Sequence, residues 1–305
     1  MSDRLMLLDT ASLYFRAFYG VPDKVRADDG TSVNAVRGLL DIIAKLVTSY
    51  EPTRLVACWD DDWRPAWRVA LIPTYKAHRV VELVDGAPDV EEVPAALTAQ
   101  IPLVREALGA LGLAVVGAAE HEADDVIGTL AERADVPVDI VTGDRDLFQL
   151  VDDARGIRVI YTARGMSNLE IIDDAAVQAR YGIRADQYAD FAALRGDPSD
   201  GLPGVAGIGE KSAAALLAAC GDLDGIRSAA ADVSAGTPAQ RSKIIAAGGY
   251  LDVAPSVVRV VRDLDLAAID DRILVDEDRA DASTALAERW NLGSSMSRAL
   301  AALRR

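Results

Sequence analysis

The sequence has few of the residues that build covalent or soft-metal sites. It has two cysteines and two histidines in 305 residues. Cys58 and Cys220 are too few for a disulfide framework, and Cys58 sits in an apolar run; a reduced, cytoplasmic protein is expected. With His78 and His121 as the only imidazoles, a zinc centre is poorly supported. No apolar stretch approaches the ~20 residues of a membrane span. The run Leu5–Leu8 is stopped by Asp9, so no signal peptide is expected. There is no internal repeat, long low-complexity tract or visible partner-binding motif, and a monomer is the default. Lysine is confined to Lys24, Lys45, Lys76, Lys211 and Lys243.

Half of the residues are apolar and 26% are charged, enough for one large core or two lobes. The net charge of −16 argues against nucleic-acid binding, because phosphate attracts positive surface. The acids are clustered, however, as Asp60-Asp61-Asp62, Asp124-Asp125, Asp144 with Asp146, and Asp197 with Asp200. Such clusters repel unless metal or protons neutralise them. An ordinary acidic solvated surface is the alternative reading.

Short apolar runs alternate with helical patterns in the first half. Strands are predicted at Leu5–Leu8, Leu55–Trp59, Leu113–Val116, Val138–Val141 and Ile157–Ile160, with helices at Asn34–Ser49, Ala95–Leu108 and Ala123–Ala134. This is an α/β pattern, with a mainly parallel central sheet flanked by helices. From about residue 166 short helices and Gly/Pro turns take over, with helices at Asp173–Tyr181, Ala185–Leu194 and Glu210–Ala219. The expected division is an α/β part at 1–165 and a mainly helical part at 166–305, whose tail from about 240 carries no motif. Residues 71–100 form a long connection with Pro73, Pro88 and Pro94, either functional or a flexible surface loop.

Acids follow the predicted strands. Asp9 follows the first, Asp60 the second, and Asp144 and Asp146 follow Val138–Val141; Glu122, Asp124 and Asp125 come after Leu113–Val116. In open parallel sheets, ligand sites lie beyond the carboxyl ends of the strands. Helix capping explains one or two acids in the last group and turn chemistry explains a single Asp, but neither explains all four deliveries. Oxygen ligands suit hard cations such as Mg²⁺ or Mn²⁺, and carboxylates around paired ions are usual for phosphodiester hydrolysis. His121 lies inside the cluster, either as a supporting partner or as a plain surface residue.

Residues 201–212 read Gly-Leu-Pro-Gly-Val-Ala-Gly-Ile-Gly-Glu-Lys-Ser. Glu210 breaks the P-loop pattern, and no strand precedes the segment. A dinucleotide fingerprint lacks its third glycine. A helix–hairpin–helix over 185–219 remains. Gly204, Gly207 and Gly209 would let amides approach phosphate, with Lys211 adding charge; such contacts carry no sequence information. A purely structural turn is the other reading.

Together these segments resemble the flap endonuclease/5′-nuclease family, including the 5′-nuclease domain at the front of bacterial DNA polymerase I. The resemblance runs from about Leu7 to Lys211, more loosely to about residue 265. It rests on Leu7-Leu8-Asp9 with Tyr14-Phe15-Arg16-Ala17-Phe18, on Trp59-Asp60, on Tyr75-Lys76-Ala77-His78-Arg79, on Glu122 to Leu130, on Thr142-Gly143-Asp144-Arg145-Asp146, and on Gly196-Asp197-Pro198-Ser199-Asp200 leading into the glycine hairpin. It implies a PIN-like nuclease core and a two-metal site. Asp9, Asp60, Glu122, Asp124, Asp125 and Asp144 would serve one ion, and Asp144, Asp146, Asp197 and Asp200 the other. Lys76 and Arg79 would steady the reacting phosphate. Tyr14, Arg16 and Tyr75 would lie near the 5′ strand, Phe18 there or in the core. Residues 71–100 would arch over the site, and the hairpin would hold duplex DNA, with a K⁺ ion common in such loops.

The expected protein is a stand-alone 5′ flap endonuclease and 5′-3′ exonuclease acting on DNA with a 5′ flap, nick or 5′ end, in replication or repair. The alternatives are a structure-specific DNA-binding protein without catalysis and a compact PIN-like ribonuclease.

Overall fold

The computed structural model describes residues 3–84 and 87–304. In chain order the elements are β1 (Leu5–Asp9), α1 (Thr10–Gly20), α2 (Asn34–Tyr50), β2 (Arg54–Cys58), α3 (Ala66–Leu71), β3 (Val80–Glu82), β4 (Val90–Glu91), α4 (Ala95–Thr98), α5 (Ile101–Ala110), β5 (Ala114–Val116), α6 (Ala123–Arg133), β6 (Val138–Thr142), β7 (Ile157–Tyr161), β8 (Glu170–Ile172) and α7 (Asp174–Tyr181). Then follow α8 (Tyr188–Arg195), α9 (Glu210–Cys220), α10 (Leu223–Ala231), α11 (Pro238–Ala246), α12 (Gly248–Val258), α13 (Glu277–Arg289) and α14 (Ser294–Leu303).

Six strands form one sheet in the order β5-β2-β1-β6-β7-β8. All neighbours are parallel except β7 and β8. β1 is buried along its whole length, because both faces of the sheet are covered. Leu5 and Leu7 join a core with α6, α8, α9 and α12. Met6 and Leu8 point the other way, into a core with α1, α2, α5 and α14. Strand order reverses between β1 and β6, so their carboxyl ends flank a topological switch point, where such sheets place ligands.

One expectation is corrected, and two further features add to the sequence reading. The helix predicted over Ala95–Leu108 is two helices, because Pro102 restarts the chain at the first turn of α5. The motif-bearing segment after Asp9 is itself a helix, α1, capped by the Asp9 carboxylate accepting from Ser12 N at 3.2 Å. The boundary at 165/166 is not clean, since β8 belongs to the sheet and the tail returns to it. Asp271 O accepts from Leu55 N at 2.7 Å, and Ile273 N donates to Thr53 O at 3.0 Å. Leu286, Met296, Ala299 and Leu303 then complete the core under α2.

The return is seated on α6, where a Cβ at Gly128 would stand 2.7 Å from Val261 O and 2.8 Å from Val260 Cγ2. Gly128→Val should therefore cost about 1–3 kcal/mol through overpacking, read as a lower midpoint in urea unfolding. An unchanged midpoint would show that the return segment does not depend on this contact.

Candidate metal centre

The carboxyl ends of β1, β2 and β6 and the start of α6 deliver acids to one cleft. Asp9, Asp60, Glu122, Asp124 and Asp144 line it, with Lys76 and Arg79 opposite and Tyr14, Phe15, Trp59 and Trp63 along its wall. Asp9 is buried and accepts from Thr142 Oγ1 at 2.6 Å. Asp60 accepts from Ala123 N at 2.8 Å, tying β2 to α6. Asp144 is exposed and accepts from Asp146 N at 2.9 Å. Asp146 is buried, with Oδ1 lacking any hydrogen-bond partner.

The electrostatics follow from this crowding. Burial pushes the Asp9 carboxyl up to about 7, and the Asp60 charge adds to it. Asp124 is raised well above the carboxylate range, first by burial and then by Asp9 and Asp144. Asp146 is raised likewise, by burial and then by Asp144, Asp200 and Asp197. Asp60 and Asp200 also move up through burial. These acids lack enough counter-charge to ionise together.

Two cations from residues 71–100 supply part of it. Lys76 Nζ donates to Glu122 Oε2 at 2.6 Å, and Tyr75 OH donates to Glu122 Oε1 at 2.7 Å. Burial works against the Lys76 charge, but Glu122 outweighs it and holds the ammonium pKa well above its ordinary value. Arg79 Nη2 donates to Ser199 O at 2.8 Å and lies 3.3 Å from Asp200 Oδ1. The two are separated by a single 3-10 turn, Ala77–Arg79, with Lys76 in the left-handed region at φ 47°. That turn is docked on the loop after α8: Lys76 N donates to Asp200 O at 2.9 Å and Thr74 Oγ1 to Gly201 O at 2.7 Å. Gly201, with φ +70°, has no room for a Cβ, which would overlap Thr74 O. Beyond it, β3 and β4 form a ribbon, anchored where Arg64 pairs with Asp89. Asp85 and Gly86, within the expected arch, lie outside the described residues.

Asp197 and Asp125 are each held by several protein donors at once. Asp197 is buried and bonds Arg195, Arg145 and Ser199. Its donors are two arginine side chains and the Ser199 hydroxyl and amide. Asp125 is different. Its carboxylate accepts from both Arg68 terminal nitrogens, at 2.8 and 2.7 Å, from Glu122 N at 3.2 Å and from Val261 N at 2.8 Å. Four donors fill its lone pairs, and two are backbone amides in fixed elements. In this structure Asp125, expected in the first ion's ligand set, is held by Arg68 and two backbone amides. His121 also turns away from the acids, toward Ala119 O and the Trp67 ring.

Among the described residues no three His, Cys, Asp or Glu side chains converge closely enough to hold an ion as they stand. The chemistry of the set fits hard cations nonetheless: its donors are all oxygen, its charges are mutually destabilising, and one buried carboxylate oxygen has no partner.

The other expected residues divide. Tyr14 lines the cleft. Arg16 lies behind it beside Gly143, with Nε lacking a hydrogen-bond partner. Tyr75 is buried against Glu122 rather than open to a strand, because its ring completes the core beneath the site. Phe18 is half-buried in the core around α2. In the hairpin, Gly204 packs on the end of α8, where a Cβ would overlap Arg195 and Gly196, so its backbone faces protein. Gly207 (φ +72°) is exposed, and Gly209 is the extended N-cap of α9 with Lys211 exposed in its first turn. Sequence reasoning missed Lys243 of α11, whose ammonium fills the space a Gly207 Cβ would take. It gave no role to Phe15 and Trp59, which line the cleft wall, and missed Trp63 there and the buried Arg68. Only the tertiary fold brings these to the site.

Residues 4–182 match the family model for the N-terminal resolvase-like domain of 5′-3′ exonucleases, and residues 183–280 match that for the C-terminal SAM fold. This chain belongs to the 5′-3′ exonuclease family. As a member it is a nuclease. It is 59% identical to a 5′-3′ exonuclease of Streptomyces coelicolor over 98% of this chain and 99% of that protein. It is 49% identical to one of Mycobacterium tuberculosis over 99% of this chain and 98% of that protein. A DNA polymerase I of Mycobacterium tuberculosis matches 72% of this chain at 42% identity, through 23% of its own length. Its fold is shared with bacteriophage T5 5′-exonuclease, in a structure with bound zinc, at TM-score 0.64 and 16% identity, over 99% of this chain and 98% of that one. It is shared too with the catalytic core of Rad2 with a DNA substrate, at TM-score 0.59 and 18% identity, over 97% and 90%. No helix among the described residues is long and apolar enough to cross a membrane.

The raised carboxyls predict a pH signature. The folded protein holds protons at Asp9 and its neighbours that the unfolded chain releases near pH 4. Stability of the metal-free protein should therefore fall as pH rises from about 4 through about 7. Divalent ions that replace those protons should raise Tm more at about pH 7.5 than at about pH 5.5. Equal shifts in calorimetry at both pH values would remove these carboxylates from the metal centre.

Proposed function

We propose that this protein hydrolyses phosphodiester bonds at 5′ ends, nicks and 5′ flaps of DNA, in replication or repair. The observation that carries this is the pairing of a carboxylate cleft with two cations from one docked turn, Lys76 facing Glu122 and Arg79 facing Asp200. Asp9, Asp60, Glu122, Asp124 and Asp144 would hold one divalent ion, and Asp144, Asp146, Asp197 and Asp200 a second. Bound there, Mg²⁺ or Mn²⁺ would supply an activated water and offset charge on the phosphate and leaving oxygen. Lys76, held charged by Glu122, would bind and orient the phosphate, with Arg79 beside it. Tyr14 and Phe15 line the same cleft and would stack on the terminal bases.

The helical part would grip duplex through its backbone. Gly207, the α9 N-terminus, Lys211 and Lys243 form an exposed surface suited to phosphate. A K⁺ ion on the hairpin carbonyls belongs to the same reading. Residues 71–100 would guide the free 5′ strand as an arch, and a monomer would suffice.

The decisive test is a 5′-labelled flap substrate with Mg²⁺ or Mn²⁺. Cleavage near the junction is expected, and Asp144→Ala should lower it more than ~10²-fold. Tight flap binding with no cleavage by either ion would leave only a binding protein, and faster cutting of an RNA flap would make it a ribonuclease. Lys243→Ala should weaken binding to all duplex sequences and lower the salt slope of log K by about 1. An unchanged slope, measured by fluorescence anisotropy, would remove Lys243 from the interface.

A further inference from the structure

Arg68 lies in the short helix α3, ahead of the docked turn, and is 2% exposed. Besides Asp125, its guanidinium reaches Val257 O through Nε at 3.1 Å, and Nη1 lies 3.4 Å from Glu122 Oε1. Trp67 covers it, with the ring centroid 4.4 Å away. Asp125 holds the N-cap amide of α6 and the Val261 amide at the same time. Glu122, fixed by that cap, receives Tyr75 and Lys76. One connected set of buried bonds therefore runs from Val257–Val261, where the helical part turns back to the sheet, through Arg68 and Asp125 to Glu122 and Lys76.

We propose that Arg68 and Asp125 are a positioning pair. They set Glu122, and through it the Lys76 ammonium, relative to the cleft, and Asp125 holds no ion. This deepens the nuclease reading and rests on it. A planar guanidinium matches a carboxylate through two parallel bonds that lysine cannot reproduce. The pair thus fixes the orientation of α6 against α3 as well as their charge balance. The Lys76 ammonium is itself held between Glu122 Oε2 at 2.6 Å and Trp63 O at 3.3 Å. A shift of Glu122 is therefore passed to Nζ.

The test compares Arg68→Gln, Arg68→Lys, Asp125→Asn and the paired Arg68→Met/Asp125→Leu with Asp124→Asn as a ligand control. Mn²⁺ binding is read by calorimetry, and kcat and KM are read on a DNA flap. Asp125→Asn should keep the wild-type number of bound Mn²⁺ ions, and Asp124→Asn should lose one. Arg68→Gln and Asp125→Asn should lower kcat about 10²-fold, with KM nearly unchanged and Arg68→Lys recovering part of the loss. The Met/Leu variant leaves no buried charge unpaired, so it keeps the question open to measurement if the single variants unfold. It should bind Mn²⁺ normally and still cut slowly. Loss of an ion in Asp125→Asn, or wild-type kcat in the Met/Leu variant, would overturn the proposal. If the wild type cut no flap, the nuclease reading would fail by itself, and Mn²⁺ binding would still decide whether Asp125 is a ligand.

Discussion

Carboxylates gathered at one sheet edge repel, and the remaining site geometry follows from how that repulsion is met. Buried arginine meets it at Asp125. Retained protons meet it at Asp9, Asp124 and Asp146, where burial and neighbouring charge hold the carboxyls neutral beyond their usual range. Cations from one turn meet it at Glu122 and Asp200. Left least compensated are the acids around Asp9, Asp124, Asp144 and Asp146, which makes them the group suited to divalent ions. The same attraction holds residues 74–79 on the site, so the segment that carries Lys76 and Arg79 is placed by the charge it helps to balance.

Topology explains why the acids meet. In a doubly wound sheet the ends of β1 and β6 lie side by side where the strand order reverses. An acid placed just after either strand, or at the cap of the neighbouring α6, needs no long loop to reach the others. That made this part readable in the sequence. Leu5–Leu8 is a buried apolar run and Val138–Val141 a buried one broken only by Asp139, and Asp9, Asp144 and Glu122 sit at their ends or at a helix start. Local patterns fix such elements, and the rule for open sheets turns their order into a location.

What could not be read depends on contacts between distant segments. Asp125 stands in the same acidic run as Asp124, and nothing local separates them. One carboxylate faces the cleft, while the other is turned inward by Arg68 and Val261, which lie 57 and 136 residues away in sequence. Lys243 reaches Gly207 only because α11 folds back on the hairpin. The tail carried no motif, and its helices are placed only by packing Leu286, Met296, Ala299 and Leu303 into the core around α2 and α5. β8 and the tail, assigned by sequence to the helical part, likewise lie against the sheet through pairings between distant segments.

The net charge of −16 opposes binding to a polyanion, yet its distribution matters more than its total. Asp61 is paired with Arg105, and Asp139 with Arg4 and Arg158. Such pairs are nearly neutral beyond a Debye length of about 8 Å at physiological salt. In the cleft, by contrast, Asp9, Asp60, Asp124 and Asp144 crowd together with few cations beside them. If divalent ions occupy it, the strongest repulsion that DNA would meet is removed at the place where its phosphate must sit. Ion binding and DNA binding are then linked, and each raises the affinity for the other by the same factor. On this reading, the acids that repel DNA from the ion-free protein would also make its DNA affinity depend on bound divalent ions.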